Sequence, residues 1–138
     1  MGKEIRIKCR KIYGGKAAGE ALVTREAVSG WGGTDPLAGK IIERTHEISG
    51  AVFSGKIFIT RGAKGSSGWT NAFHISRMAG TLPKAIIFQE MSSKIALGCV
   101  VMKIPAVTDL EEDIYSVAEN GDIVTVDADN GEVIIEKP

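Results

Sequence analysis

The chain has 138 residues, 43% of them hydrophobic and 25% charged, which is enough apolar side chain for one core. Seventeen basic and seventeen acidic residues cancel to a formal net charge of zero, so there is no bulk electrostatic grip on nucleic acid or on an anionic membrane. No apolar run reaches membrane-spanning length, and the stretch from Met1 to Ile5 lacks the apolar core of a signal peptide. The expectation is a single cytoplasmic domain over residues 1–138.

Ile5, Ile7 and Cys9 alternate with Arg6, Lys8 and Arg10, the period-two pattern of a half-buried strand. Tyr13, Gly14 and Gly15 break it. Glu20–Thr24 reads as a second short strand. Residues 29–36 crowd glycine, serine, aspartate and proline together and read as a loop. Within it, Trp31 is either a hydrophobic plug or an interface anchor, and Asp35-Pro36 is turn chemistry. Lys40–Glu43 starts another strand. His46, in the run Arg44–Glu47, reads as a surface histidine, although a Thr-His pair is also one ingredient of a phosphohistidine site.

Ile57–Ile59 is a buried strand that runs into Thr60–Gly68 and then into a helix over Trp69–Ala79. On that helix Trp69, Ala72, Phe73, Ser76 and Ala79 share one face, and His74 points outward. Gly80 and Pro83 end it. A strand that breaks into glycines and opens a helix presents free backbone N–H groups and the positive end of the helix dipole. Such a turn suits an anion. Ser66 and Ser67 stand at the helix mouth, with Lys64 two residues before the first. Either serine can cap the helix. The alternative is that Ser66 reaches into a cleft and is activated by Lys64 and the dipole.

Lys84–Phe88 reads as a buried, parallel strand. Ser92 and Ser93 cap a second helix through Ile95, Ala96, Cys99 and Met102. Ile104–Val107 is extended, and Asp109–Val117 reads as a short helix with an acidic start. Ile123–Asp127 and Glu132–Glu136 are strands joined by Asp129-Asn130-Gly131, a strong hairpin signal.

Several chemistries find no support. There is no Gly-x-Ser-x-Gly elbow, and neither His46 nor His74 has triad spacing. The Walker spacing around Lys64 is absent. No His, Cys, Asp or Glu set has metal-ligand spacing. Cys9 and Cys99 read as free thiols in a reducing compartment, and two cysteines are too few for an iron–sulfur cluster held by this chain alone.

Gly62-Ala63-Lys64-Gly65-Ser66-Ser67 resembles the serine loop of the swivelling domain in the aconitase superfamily, where Gly-x-Gly-Ser-Ser-Arg is usual. Gly68 stands here where the arginine usually stands. The whole chain is similar to the stand-alone aconitase-X swivel subunits. It shares their Gly-Glu-Ala-Leu-Val element (Gly19–Val23), their Gly-Gly-x-Asp-Pro loop (Gly32–Pro36) and their Gly-Lys-Ile strand (Gly55–Ile57). It also shares their Gly-Lys-Gly-Ser type turn (Lys64–Ser66) and their Gly-Asp-x-Val-x-Val-Asp ending (Gly121–Asp127).

The resemblance implies an α/β swivelling β/β/α domain with a mixed sheet and a C-terminal hairpin. It implies a hydro-lyase subunit, inactive without a large subunit that holds a [4Fe-4S] cluster. Ser66 becomes the catalytic base, and Lys64, Gly65 and Ser67 become its substrate-binding neighbours. The reaction implied is dehydration of a phosphorylated hydroxy acid, (R)-5-phosphomevalonate, to trans-anhydromevalonate 5-phosphate in isoprenoid biosynthesis. A sister branch dehydrates cis-3-hydroxyproline. Phosphohistidine domains share the swivelling shape and a similar ending. On that alternative the chain is a non-catalytic carrier with His46 as phosphoryl acceptor.

Overall fold

A computed structural model describes residues 3–28, 33–62, 69–89 and 91–137, with the backbone alone for Trp69 and Lys94. The alternating start forms β1 (Lys3–Lys8), and β2 (Arg10–Tyr13) follows after Cys9 alone. β3 (Lys16–Val23) begins four residues before the expected Glu20. Its first half, Lys16–Glu20, pairs antiparallel with β9 (Ile123–Asp127), and Ala21–Val23 pairs parallel with β6 (Ile57–Thr60). The early residues Ala17, Ala18 and Gly19 have weak strand propensity; cross-strand pairing overrides it.

The 29–36 loop is described from Gly33 onward, so Trp31 lies outside the described residues. β4 (Thr34–Asp35) and β5 (Lys40–Ile41) form a two-residue ladder. Asp35 makes the turn between them: its Oδ1 accepts from the N–H groups of Leu37 and Ala38 at 3.1 and 3.3 Å. The strand expected over Lys40–Glu43 stops at Ile41, because the amides of Ile42 and Glu43 both donate to Gly33 O.

α1 (Trp69–Ala79) has the expected limits. Ala72, Phe73 and Ser76 are buried, whereas Ala79 is exposed, at the residue where Gly80 (φ 75°) already turns the chain away. β7 (Ala85–Phe88) is buried throughout and lies parallel to β6 and to β8 (Ala106–Thr108). α2 (Ser93–Met102) has Ser92 at its N-cap position, but the hydroxyl does not cap it. The helix expected over Asp109–Val117 shrinks to a single 3-10 turn, Ile114–Ser116, with Asp113 as cap. β10 (Glu132–Lys137) closes the C-terminal hairpin on β9.

The sheet order is β1-β10-β9-β3-β6-β7-β8-β2. Its two edges are β1 and β2, which are halves of one extended segment joined through Cys9. The sheet therefore rolls back on itself. One core fills the inside of the roll: Ile57, Ile59, Ala85, Ile87 and Val107 meet Val124, Val126, Val133 and Ile135. The alternate residues Phe58, Ile86 and Phe88 point outward and are covered by Phe73 of α1 and by Ile95 and Cys99 of α2. The period-two alternation of the parallel strands thus serves two cores.

Candidate functional site

The second half of β3, β6, β7 and β8 run parallel and end at one rim: Thr60, Phe88 and Thr108 neighbour one another in register, and Val23 lies level with Ile59. In parallel α/β sheets, ligands bind beyond the carboxyl ends of the strands. The segment from Arg61 to Gly68 leaves β6 at this rim and feeds α1. Ser66, Lys64, Gly65, Ser67 and Gly68 lie outside the described residues; the residues that anchor their loop are described.

Thr60 is fully buried and its hydroxyl donates to Glu26 O at 3.3 Å. Gly62, at φ 154°, adopts a backbone conformation that favours glycine, and its carbonyl accepts from Val28 N–H at 3.1 Å. The 24–28 segment that holds it is itself braced. Glu47 Oε1 accepts from the Thr24 hydroxyl (2.6 Å) and the Arg25 amide (2.7 Å), and Glu26 Oε1 accepts from the Glu47 amide (2.7 Å). The Thr24 hydroxyl first, and then the Arg25 amide, hold the Glu47 carboxyl below its ordinary value.

His46 is a correction to the sequence reading. It is 4% exposed, not a surface residue. Its Nδ1 accepts from Ile48 N–H at 3.3 Å, so Nε2 carries the proton and donates to Ala27 O at 3.1 Å. Both ring nitrogens are committed to backbone, and the ring acts as a brace for the 24–28 segment. His74 is exposed, as read.

On the other side of the rim Gln89, just past β7, does similar work. Its Nε2 donates to the carbonyls of Leu110 and Glu112, both at 3.2 Å, and its Oε1 accepts from Ile114 N–H at 2.8 Å. Arg61, Gln89, Leu110 and Tyr115 help to line a cavity of about 390 Å³ beside the loop anchor. Arg25 lies over the Tyr115 ring at 5.9 Å and donates to Tyr115 O at 3.2 Å. Gln89, Glu47 and Glu26 were not singled out from sequence. A lone amide side chain at the end of the apolar run Ala85–Phe88 is a usable signal for Gln89; no comparable signal marks the two glutamates.

The described residues do not fit an iron–sulfur cluster. Among them no group of three or more His, Cys, Asp or Glu side chains is placed to hold a metal. Cys9 packs against the core inside the roll and Cys99 lies in the core under the helices. Burial pushes their thiols up to about 11 and about 12, whereas cluster ligation needs thiolates. No helix among the described residues is long and apolar enough to cross a membrane.

A family model described as "Aconitase X swivel domain" matches residues 6–135. The phosphomevalonate dehydratase small subunit of Thermococcus sibiricus is 38% identical over 133 residues, 96% of this chain and 100% of that protein. The phosphomevalonate dehydratase small subunit of Archaeoglobus fulgidus is 38% identical over 129 residues, 94% of this chain and 97% of that one. Among solved structures, the holo-form of Thermococcus kodakaraensis aconitase X superposes with a TM-score of 0.88 at 37% identity. The match covers 95% of this chain and 98% of that one.

Proposed function

The chain belongs to the aconitase X swivel-domain family, and on that premise we propose that it is the small subunit of a cytoplasmic phosphomevalonate dehydratase. The reaction is removal of water from (R)-5-phosphomevalonate to give trans-anhydromevalonate 5-phosphate. The observation that carries this reading is end-to-end similarity to relatives of that name, covering 96% of this chain and 100% of the relative. The cluster belongs to a large subunit, since the cysteines of this chain do not suit one.

The contribution of this chain is a base. Ser66, as alkoxide, takes the proton from the carbon next to the substrate carboxylate. The C–H electron pair becomes the new C=C bond, and the hydroxyl on the adjacent carbon leaves, so that proton and hydroxyl together make one water. A serine needs strong local stabilisation to act this way. Lys64 and the amides of Gly65 and Ser67, at the positive end of α1, supply it and bind substrate charge. Gly68 lacks the side chain with which aconitases grip a carboxylate, so that grip comes from elsewhere in the complex.

The carrier reading loses its acceptor, because His46 is enclosed and bonded through both nitrogens. The named relatives likewise favour the phosphorylated substrate over hydroxyproline. Reconstitution is the test. Purified chain and purified large subunit, each alone, should leave (R)-5-phosphomevalonate intact, and the mixture should consume it with formation of the unsaturated product. A mixture that stays inert with a loaded cluster would reject the assignment.

A further inference from the structure

The dipeptide Asn-Gly occurs twice, at Asn120-Gly121 and Asn130-Gly131. Glycine after asparagine leaves the next amide nitrogen unshielded, so that it can approach the asparagine side-chain carbonyl carbon. Both asparagines are exposed and both lie in turns. Residue types alone rank them equally; their bonding does not.

Asn120 extends a ladder. β9 pairs with β3 only as far as Glu20. Beyond it Ala21 N–H donates to Asp122 O at 2.8 Å and Gly121 N–H to Ala21 O at 3.2 Å. Val23 N–H then donates to Asn120 Oδ1 at 2.6 Å, so a side-chain carbonyl stands where a strand carbonyl would. This donor polarises the Cγ=Oδ1 bond, and it is already aimed at the oxygen that gains charge when a nucleophile adds to Cγ. The attacking nitrogen, Gly121 N, is held by the longest of the three bonds, and a Cβ built on Gly121 would meet nothing within 4 Å.

Asn130 is the opposite case. Its Nδ2 donates to Asp127 Oδ2 at 2.8 Å and its N–H to Asp127 Oδ1 at 3.3 Å. A carboxylate on the leaving nitrogen pushes electrons into the amide and repels the charge that addition would build on Oδ1. Gly131 is crowded as well. Its N–H donates to Ala128 O at 3.1 Å, its carbonyl accepts from Cys9 N–H at 2.9 Å, and an added Cβ would lie 2.9 Å from Cys9 O.

We propose that Asn120 is a site of spontaneous deamidation and isoaspartate formation, and that the fold protects Asn130. Gly121 N loses its proton to solvent base and bonds to Asn120 Cγ. The Cγ–Nδ2 bond breaks, and Nδ2 leaves as ammonia with a proton from water. Water then opens the five-membered imide. Opening at the side-chain carbonyl gives aspartate, which keeps an acceptor for Val23 N–H. Opening at the main-chain carbonyl gives isoaspartate, which takes Cγ and its oxygen into a longer main chain and withdraws that acceptor. The modification needs no partner subunit, substrate or metal.

The test is peptide mapping by mass spectrometry after incubation of the native chain at mildly alkaline pH, with isoaspartate assigned by a methyltransferase assay. A parallel sample is unfolded in guanidinium chloride. In the native chain Asn120 should convert at least about fivefold faster than Asn130, the effect of one hydrogen bond on the oxygen that gains charge. In guanidinium chloride the two rates should become alike, and Asp127→Ala should raise the native rate at Asn130 toward that at Asn120. Native conversion of Asn130 as fast as Asn120 overturns the proposal, as does an intact native Asn120 when the unfolded sample has converted. So does a preference for Asn120 that persists unchanged in guanidinium chloride, or an Asn130 that stays as slow in a folded Asp127→Ala variant.

Discussion

Burial raises the Cys99 thiol to about 12, and burial together with Glu132 and Asp127 raises that of Cys9 to about 11. A raised thiol stays protonated at neutral pH and is a poor nucleophile. Iodoacetamide at pH 8 should therefore label Cys99 only after unfolding and Cys9 slowly; rapid labelling of both in the native chain would contradict these environments. Glu47 moves the other way. Its folded carboxyl lies below its ordinary 4.5, so its contribution to stability is present above that value and is lost as pH falls through the depressed one. Acid unfolding of Glu47→Gln should lack this component, and its stability difference from wild type should shrink as pH falls below 4.5. An unchanged difference across that window would show that the carboxylate bonds contribute nothing. These residue-level features were only partly legible. Two lone cysteines far apart already read as free thiols. The enclosure of His46 was hidden, because its bonding partners Ala27 O and Ile48 N–H are backbone groups, and backbone carries no trace in the residue types.

At the scale of elements, helix limits and parallel strands were readable wherever periodicity and caps agreed. α1 ends at Gly80 as glycine chemistry requires, and the unbroken apolar run of β7 reads as a strand buried on both sides. The 109–117 segment fails as a helix for two reasons. Asp109 sits at φ 50°, and the carbonyls of Leu110 and Glu112, which helical bonds would use, are taken by Gln89. The packing of α2 on α1 depends on Gly98, where an added Cβ would lie 2.8 Å from Phe73 Cδ2 and 3.1 Å from Cε2. Alanine is the better helix former by about 1 kcal/mol, but the clash with a buried ring costs about 1–3 kcal/mol, and the clash should win. Gly98→Ala is expected to lower the midpoint of thermal unfolding. A raised midpoint would mean that Phe73 moves aside freely.

Over the whole molecule, closure of the sheet is what sequence periodicity did not reveal. β1 and β2 read as one strand and a break, yet the two halves pair with β10 and β8 at opposite ends of the strand order. Alternation reports which side a residue faces, not which partner lies beside it. Cys9, at the crossing, donates its N–H to Gly131 O at 2.9 Å. Cys9→Pro removes that donor and should speed hydrogen exchange at both Ile135 and Val107, whereas Cys9→Ser should leave both slow; protection at both sites in the proline variant would contradict a shared crossing. Of the rim beyond the parallel strands, the strand that ends at Thr60 and the helix that starts at Trp69 were legible as successive elements of the chain, while Ser66 between them lies outside the described residues. The most direct measurement is turnover of (R)-5-phosphomevalonate by the complex of large subunit with Ser66→Ala. Loss of a positioned base predicts a fall of about 10²–10⁴-fold in kcat with the complex still assembled, and a rate near wild type would contradict the assignment of Ser66 as the proton acceptor.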